Sequence, residues 1–99
     1  MDIEVLSKYF QISESSPSGL IWIRDNVDAN NRINAKAGDS AGNLSSNDYW
    51  KVCLKSTDYY VHRIVFLLHN GYIDNRSIDH INRIRTDNRP CNLRLVENY

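Results

Sequence analysis

An α+β fold is predicted for these 99 residues, with a small N-terminal antiparallel sheet, a connecting helix and a C-terminal hairpin. Three observations predict it. Leu20-Ile21-Trp22-Ile23 and Tyr49 to Lys55 are rich in branched and aromatic side chains, as strands are. Ile64 to Leu68 is a continuous apolar run capped by His69-Asn70-Gly71, an ending that lets a helix stop in a left-handed conformation. Residues 77–81 and 92–96 flank a polar, basic stretch from Asn82 to Pro90, which makes them the arms of a last hairpin.

Taken in order, residues 2–10 place Ile3, Leu6, Tyr9 and Phe10 at the spacing of a short amphipathic helix. Ser13 to Gly19 is turn chemistry before the Leu20 strand, and the asparagine-rich stretch Asp25 to Asn34 reads as a loop. Ala37 to Gly42 is a second glycine-bearing segment leading into the Tyr49 strand. Ser56-Thr57-Asp58 is the expected turn to a further strand at Tyr59-Tyr60-Val61, which completes a hairpin. A buried helix follows from His62.

A hydrophobic content of 41% and a charged content of 24% are ordinary for a globular chain and argue against wholesale disorder. This length accommodates one domain with one modest core. No window approaches the roughly 18 apolar residues of a membrane span. Met1-Asp2-Ile3-Glu4 lacks the basic and apolar regions of a signal peptide, so the expected compartment is the cytoplasm. Cys53 and Cys91 are too few and too separated for a disulfide framework or a four-thiolate zinc site, and are expected as small core or half-buried residues. Trp22, Tyr49, Trp50, Tyr59 and Tyr60 are read as cross-strand core aromatics before base-stacking ones.

The formal charge is zero, but it is unevenly distributed. Residues 1–61 carry six cations against eight carboxylates, and residues 62–99 carry six against four. All six cations of the second part are arginines, and Arg76, Arg83, Arg85, Arg89 and Arg94 surround Asp79-His80. A guanidinium meets phosphate in a planar, two-pronged geometry that an ammonium lacks.

Asp79-His80-Ile81-Asn82 and the later Asp87-Asn88-Arg89-Pro90-Cys91-Asn92-Leu93-Arg94-Leu95 put a carboxylate, an imidazole and an amide within reach of one hairpin. Hydrolysing a phosphodiester needs an activated water and charge stabilisation at the phosphoryl and leaving oxygens. An imidazole titrates near neutral pH and suits the first task, which points to His80. A carboxylate suits a hard divalent cation for the second, which points to Asp79. Neighbouring strand residues face opposite ways, so Asp79 and His80 converge on one phosphate only if the strand ends or twists there. Asn92 both donates and accepts, and can bond across the hairpin.

This string, in order and spacing, closely resembles the HNH endonucleases of the ββα-metal class, in the phage-encoded and intron-encoded free-standing subgroup. The similarity runs over residues 17–98 and takes in Gly19-Leu20-Ile21-Trp22, Ala37-Gly38 to Gly42, Tyr49-Trp50-Lys51-Val52 and His62-Arg63-Ile64-Val65-Phe66. It implies one HNH-like domain over residues 1–99, with an N-terminal sheet region at 1–61 and the helix plus HNH hairpin at 62–99. It further implies a DNA endonuclease using Mg²⁺ or Mn²⁺ and leaving 5′-phosphate and 3′-hydroxyl ends, in the host cytoplasm if phage-encoded. By that resemblance Asp79 is the metal-ligand carboxylate, His80 the general base, and Asn92 the catalytic-motif asparagine that holds the metal-binding loop. Arg83, Arg85, Arg89 and Arg94 fall at basic positions suited to DNA phosphates, Asn88 and Pro90 shape the turn, and His62 matches a supporting histidine before the helix.

In the family a further helix follows the second hairpin strand and supplies the last His or Asn metal ligand. That position falls past Tyr99, and Asn98 is the nearest candidate. Three arrangements remain open: a truncated or absent final helix, recruitment of Asn98, or a second chain completing the site. Magnesium is often held by one or two carboxylates plus phosphates, so Asp79 with waters and substrate is a conceivable set. An uncovered hairpin is marginal in water, so a homodimer or partner protein over it is an expectation. The alternative function is a catalytically impaired HNH-derived module that binds DNA or protein. A zinc domain using His62, His69, His80 and a cysteine has no compact ligand spacing to support it.

Overall fold

The computed structural model describes residues 1–97. Helix α1 spans Ile3–Tyr9 and begins where Asp2 accepts the backbone N–H of Glu4 at 2.9 Å. That is the capping role a short carboxylate plays at a helix start. Phe10, expected in this helix, instead opens strand β1 (Phe10–Ile12), which pairs antiparallel with β2 (Leu20–Trp22). The reason is an aromatic partner across the strands: Phe10 and Trp22 stand opposite each other with ring centroids 4.5 Å apart in the core.

The stretch expected to be a loop contains a small hairpin, β3 (Asn26–Val27) with β4 (Ile33–Ala35). Its polar residues act as the turn: the Asp28 carboxylate accepts the N–H groups of Asn30 and Arg32 at 2.8 and 2.9 Å, and Asn31 takes φ 61°. Asn and Asp tolerate that conformation better than other side-chain-bearing residues.

Strands β5 (Asn43–Leu44), β6 (Trp50–Leu54) and β7 (Thr57–Tyr60) form a three-stranded sheet. The β6–β7 turn is Lys55-Ser56, both at positive φ, and not the expected Ser56-Thr57-Asp58. A two-residue turn of that hand matches the twist of the strands it joins. Alternation along β6 overturns the expected burial of Cys53, because Val52 and Leu54 face the core and Cys53 points to solvent. Cys91 is likewise exposed.

Helix α2 (Val61–Asn70) is the hub of the fold, ending as predicted on Gly71 at φ 81°. It buries Val61, Ile64, Val65, Phe66 and Leu67 and meets α1, β1, β6 and β7. Its other partner is the C-terminal hairpin, β8 (Ser77–His80) with β9 (Leu93–Val96), entered through a 3₁₀ turn at Pro90–Asn92. Leu93 is buried in the common core, and Ile78 and Leu95 pack against it. One face of this hairpin is therefore covered from within the chain. No helix among the described residues is long and apolar enough to cross a membrane.

Candidate active site

The last residue of β8 is His80, and the chain turns at once: Arg83 donates its N–H to the His80 carbonyl at 2.8 Å and takes φ 63°. Up to that turn the ladder is regular, with Asp79 opposite Arg94 on the outer face and His80 opposite the buried Leu93, so the two side chains leave the strand on opposite faces. Both residues nevertheless border one cleft at the strand end, together with Tyr49, Ile78, Arg83 and Arg85.

His80 is 5% exposed, and its Nε2 lies 2.9 Å from Asn88 Oδ1. The other end of the Asn88 amide donates from Nδ2 to the carbonyl of Ser18 at 3.0 Å. A carbonyl only accepts, so it fixes which way the amide faces, and Oδ1 is the end left for the imidazole. His80 Nε2 is then the protonated nitrogen and Nδ1 the one with a free lone pair. Ser18 can come this close because the next residue is Gly19, where a β-carbon would stand 3.3 Å from Asn88 Cβ, at φ 87°. Sequence reasoning gave Asn88 a turn-shaping part only. Its partner Ser18 is 70 positions away, and no local signal links them.

His62, from the first turn of α2, sets its ring edge-on to His80 with centroids 5.1 Å apart. Tyr49 and Tyr60 each stand 5.4 Å from His62. Burial first, then the proximity of His80 and Arg63, pushes the His62 imidazole down to about 4. At neutral pH it is therefore an uncharged ring supporting His80.

Asn92, 5% exposed, holds the loop that follows His80. Its Nδ2 donates to Asn82 Oδ1 and to the Asp87 carbonyl, both at 2.9 Å, and its Oδ1 accepts the Asn82 N–H at 3.0 Å. Asn82, part of the motif but given no task by sequence reasoning, also accepts the Ile84 N–H at 2.9 Å and donates to Asp87 Oδ2 at 2.8 Å.

The four arginines expected at phosphates divide into two kinds. Arg89 holds Asp87 through two bonds of 2.9 and 2.8 Å, which depresses the Asp87 carboxyl well below the ordinary carboxylate range. Arg94 is bound to Asp79. Arg83 and Arg85 line the cleft, with the Arg85 guanidinium 5.2 Å above the Tyr49 ring and donating to the Asn47 carbonyl at 3.2 Å. Tyr49, read from sequence as a core aromatic, is thus half-buried in the cleft wall.

For a divalent cation, Asp79 offers a hard oxygen at the cleft, with its side chain 40% exposed. Both Arg94 contacts fall on Oδ2, so Oδ1 takes neither. Among the described residues no three His, Cys, Asp or Glu side chains gather as a cage. This donor set fits an open magnesium-type site shared with substrate phosphate and water, and does not fit a dedicated protein cage. Asn98, the other candidate ligand, lies outside the described residues.

No curated protein and no solved structure matches the chain. Residues 59–98 match the model of the HNH endonuclease family, a narrower span than the expected 17–98 but one that contains α2, the hairpin, the Asn92-held loop and His80. Over this segment, 40 of the 99 residues, the chain is similar to the HNH endonuclease family.

Proposed function

We propose that the protein is a metal-dependent DNA endonuclease whose general base is His80. The observation that carries this reading is the Ser18–Asn88–His80 relay, which leaves Nδ1 of a buried imidazole as the basic nitrogen in a residue that borders the same cleft as Asp79. A base held in one tautomer and one orientation is what proton abstraction from water requires. His80 accepts the proton, Asn88 keeps the ring in place, and His62 backs it as a neutral partner. Asp79 holds Mg²⁺ or Mn²⁺ through its open oxygen. When bound, the cation supplies charge neutralisation at the phosphoryl and leaving oxygens. Arg83 and Arg85 bind the flanking phosphates, and Asn92 keeps their loop in register. The products on this reading carry 5′-phosphate and 3′-hydroxyl ends.

The test is supercoiled-plasmid nicking with Mg²⁺ or Mn²⁺ against an EDTA control, for the native protein and His80→Ala. The variant is expected to lose cleavage while keeping most of its DNA affinity. Cleavage at the native rate would remove His80 from the chemistry.

A second reading, an impaired module that binds DNA without cutting it, is favoured by the Arg94 guanidinium already sitting on Asp79. Duplex binding with no nicking at any metal concentration would select it.

A further inference from the structure

The loop after His80 exposes two isoleucines, Ile81 at 49% and Ile84 at 53%. A single exposed aliphatic residue is ordinary on a protein surface. Three features set Ile84 apart. Its neighbours on both sides are Arg83 and Arg85, and both of these line the cleft that holds His80. The backbone is tied on each side of it, with the Ile84 N–H bonded to Asn82 Oδ1 at 2.9 Å and the Ile84 carbonyl accepting from Asp87 N–H at 3.1 Å. Asn92 in turn holds Asn82 from within the hairpin, so the loop has no slack with which to tuck the side chain away.

A rigid apolar point between two guanidiniums is the combination found where proteins enter a duplex groove: the cations take phosphates on either side and the aliphatic side chain meets the base stack. The minor groove is about 6 Å wide, enough for a side chain of this size. Single strands are instead gripped by aromatic platforms, and Ile84 offers no ring.

We propose that Ile84 is a wedge that enters the groove of duplex DNA beside the phosphate at the His80 cleft and partly unstacks one base step. Flexible pyrimidine–purine steps, TA and CA/TG, yield most easily to such a wedge, so they are favoured next to the bound phosphate. This rests on the DNA-binding half of the function proposed above and is independent of cleavage.

The test uses duplexes carrying 2-aminopurine at a TA step or within an A-tract, titrated with the full chain in EDTA, while fluorescence anisotropy reports binding. The native protein is expected to raise 2-aminopurine fluorescence at the TA step and to bind that duplex more tightly than the A-tract. Ile84→Ala is expected to lose both effects while still binding DNA. Ile33→Ala, which removes an equally exposed isoleucine from β4, is expected to keep both. The wedge is overturned if the native protein binds without the fluorescence rise, if Ile84→Ala retains it, if Ile33→Ala loses it as well, or if no duplex binds. Nicking without a fluorescence rise would remove the wedge and leave the nuclease, whereas a rise without nicking would do the reverse.

Discussion

Arg94 stands directly across the hairpin from Asp79 and grips one of its carboxylate oxygens, with Nε at 3.0 Å and Nη2 at 2.9 Å from Oδ2. The carboxylate proposed to hold the metal is thus already paired with a cation of the same chain. For metal to bind, either Oδ1 serves alone or the guanidinium moves away, and a nearby phosphate is its natural alternative partner.

Removing that competitor has a measurable consequence. The pair is solvent-exposed on both sides, and such pairs contribute about 0.2–1 kcal/mol. Arg94→Ala should therefore tighten Mn²⁺ binding to the DNA-free protein by up to about fivefold. The same variant should weaken DNA binding and flatten its salt dependence, because a phosphate partner is lost. Calorimetric metal titration and anisotropy at several salt concentrations read the two effects separately, and unchanged metal affinity would dismiss the competition.

Asn88→Ala strips a partner from two buried groups, His80 Nε2 and the Ser18 carbonyl. Leaving buried polar groups unsatisfied costs about 1–3 kcal/mol each, so the melting temperature should fall by roughly 4–8 °C for every kcal/mol lost. At a temperature where the variant remains folded, cleavage should drop far more than DNA affinity. Equal losses in the two would reduce Asn88 to a scaffold residue.

His62 makes stability depend on mildly acidic pH. Its pKa is pushed down to about 4 in the folded protein, first by burial, against the ordinary 6.5 of an unfolded chain. Between those values the unfolded state binds more protons, so the contribution is complete above about pH 6.5 and is lost as pH falls towards 4. The full effect is roughly 3 kcal/mol. Asp87, held below the ordinary carboxylate range chiefly by Arg89, gives up its contribution only at lower pH. Thermal melts of the native protein and His62→Phe should therefore diverge in their slopes between pH 6.5 and 4, with the variant flatter. Parallel curves would show that His62 is not the titrating group.

Chelation should leave the fold untouched. With Asp79 as the carboxylate at the cleft and no cage among the described residues, metal binding to the free protein is weak and adds little stability. Adding EDTA to metal-supplemented protein should shift the melting temperature by less than about 1 °C, while abolishing any nicking. A large drop on chelation would reveal a structural metal.

Much of this was legible in the amino-acid order. The apolar run at Ile64 to Leu68 with its glycine stop, the two arms around Asn82 to Pro90 and the strand at Trp50 to Leu54 all carry their signal locally, in periodicity and turn chemistry. The errors came where a distant neighbour outweighs local preference. Phe10 leaves its helix for a ring on β2, and the asparagine-rich loop zips into a hairpin once Asp28 caps its turn. At the site, the Asp79-His80 pair and Asn92 stand out because they are adjacent to other motif residues. The tasks of Asn88 and Tyr49 were invisible, since each depends on a neighbour supplied by another part of the fold.

The bond between Asn88 and the Ser18 carbonyl has a kinetic meaning as well as a geometric one. Bringing together positions 70 apart is among the slower events in the folding of a small domain, because the intervening chain must first be organised. A nascent or half-folded chain, even one whose hairpin has already formed, lacks the contact that sets the histidine's proton. On the proposed function, competence to act on DNA is thereby deferred until the N-terminal turn has docked, and the fold itself would serve as a timer on that chemistry.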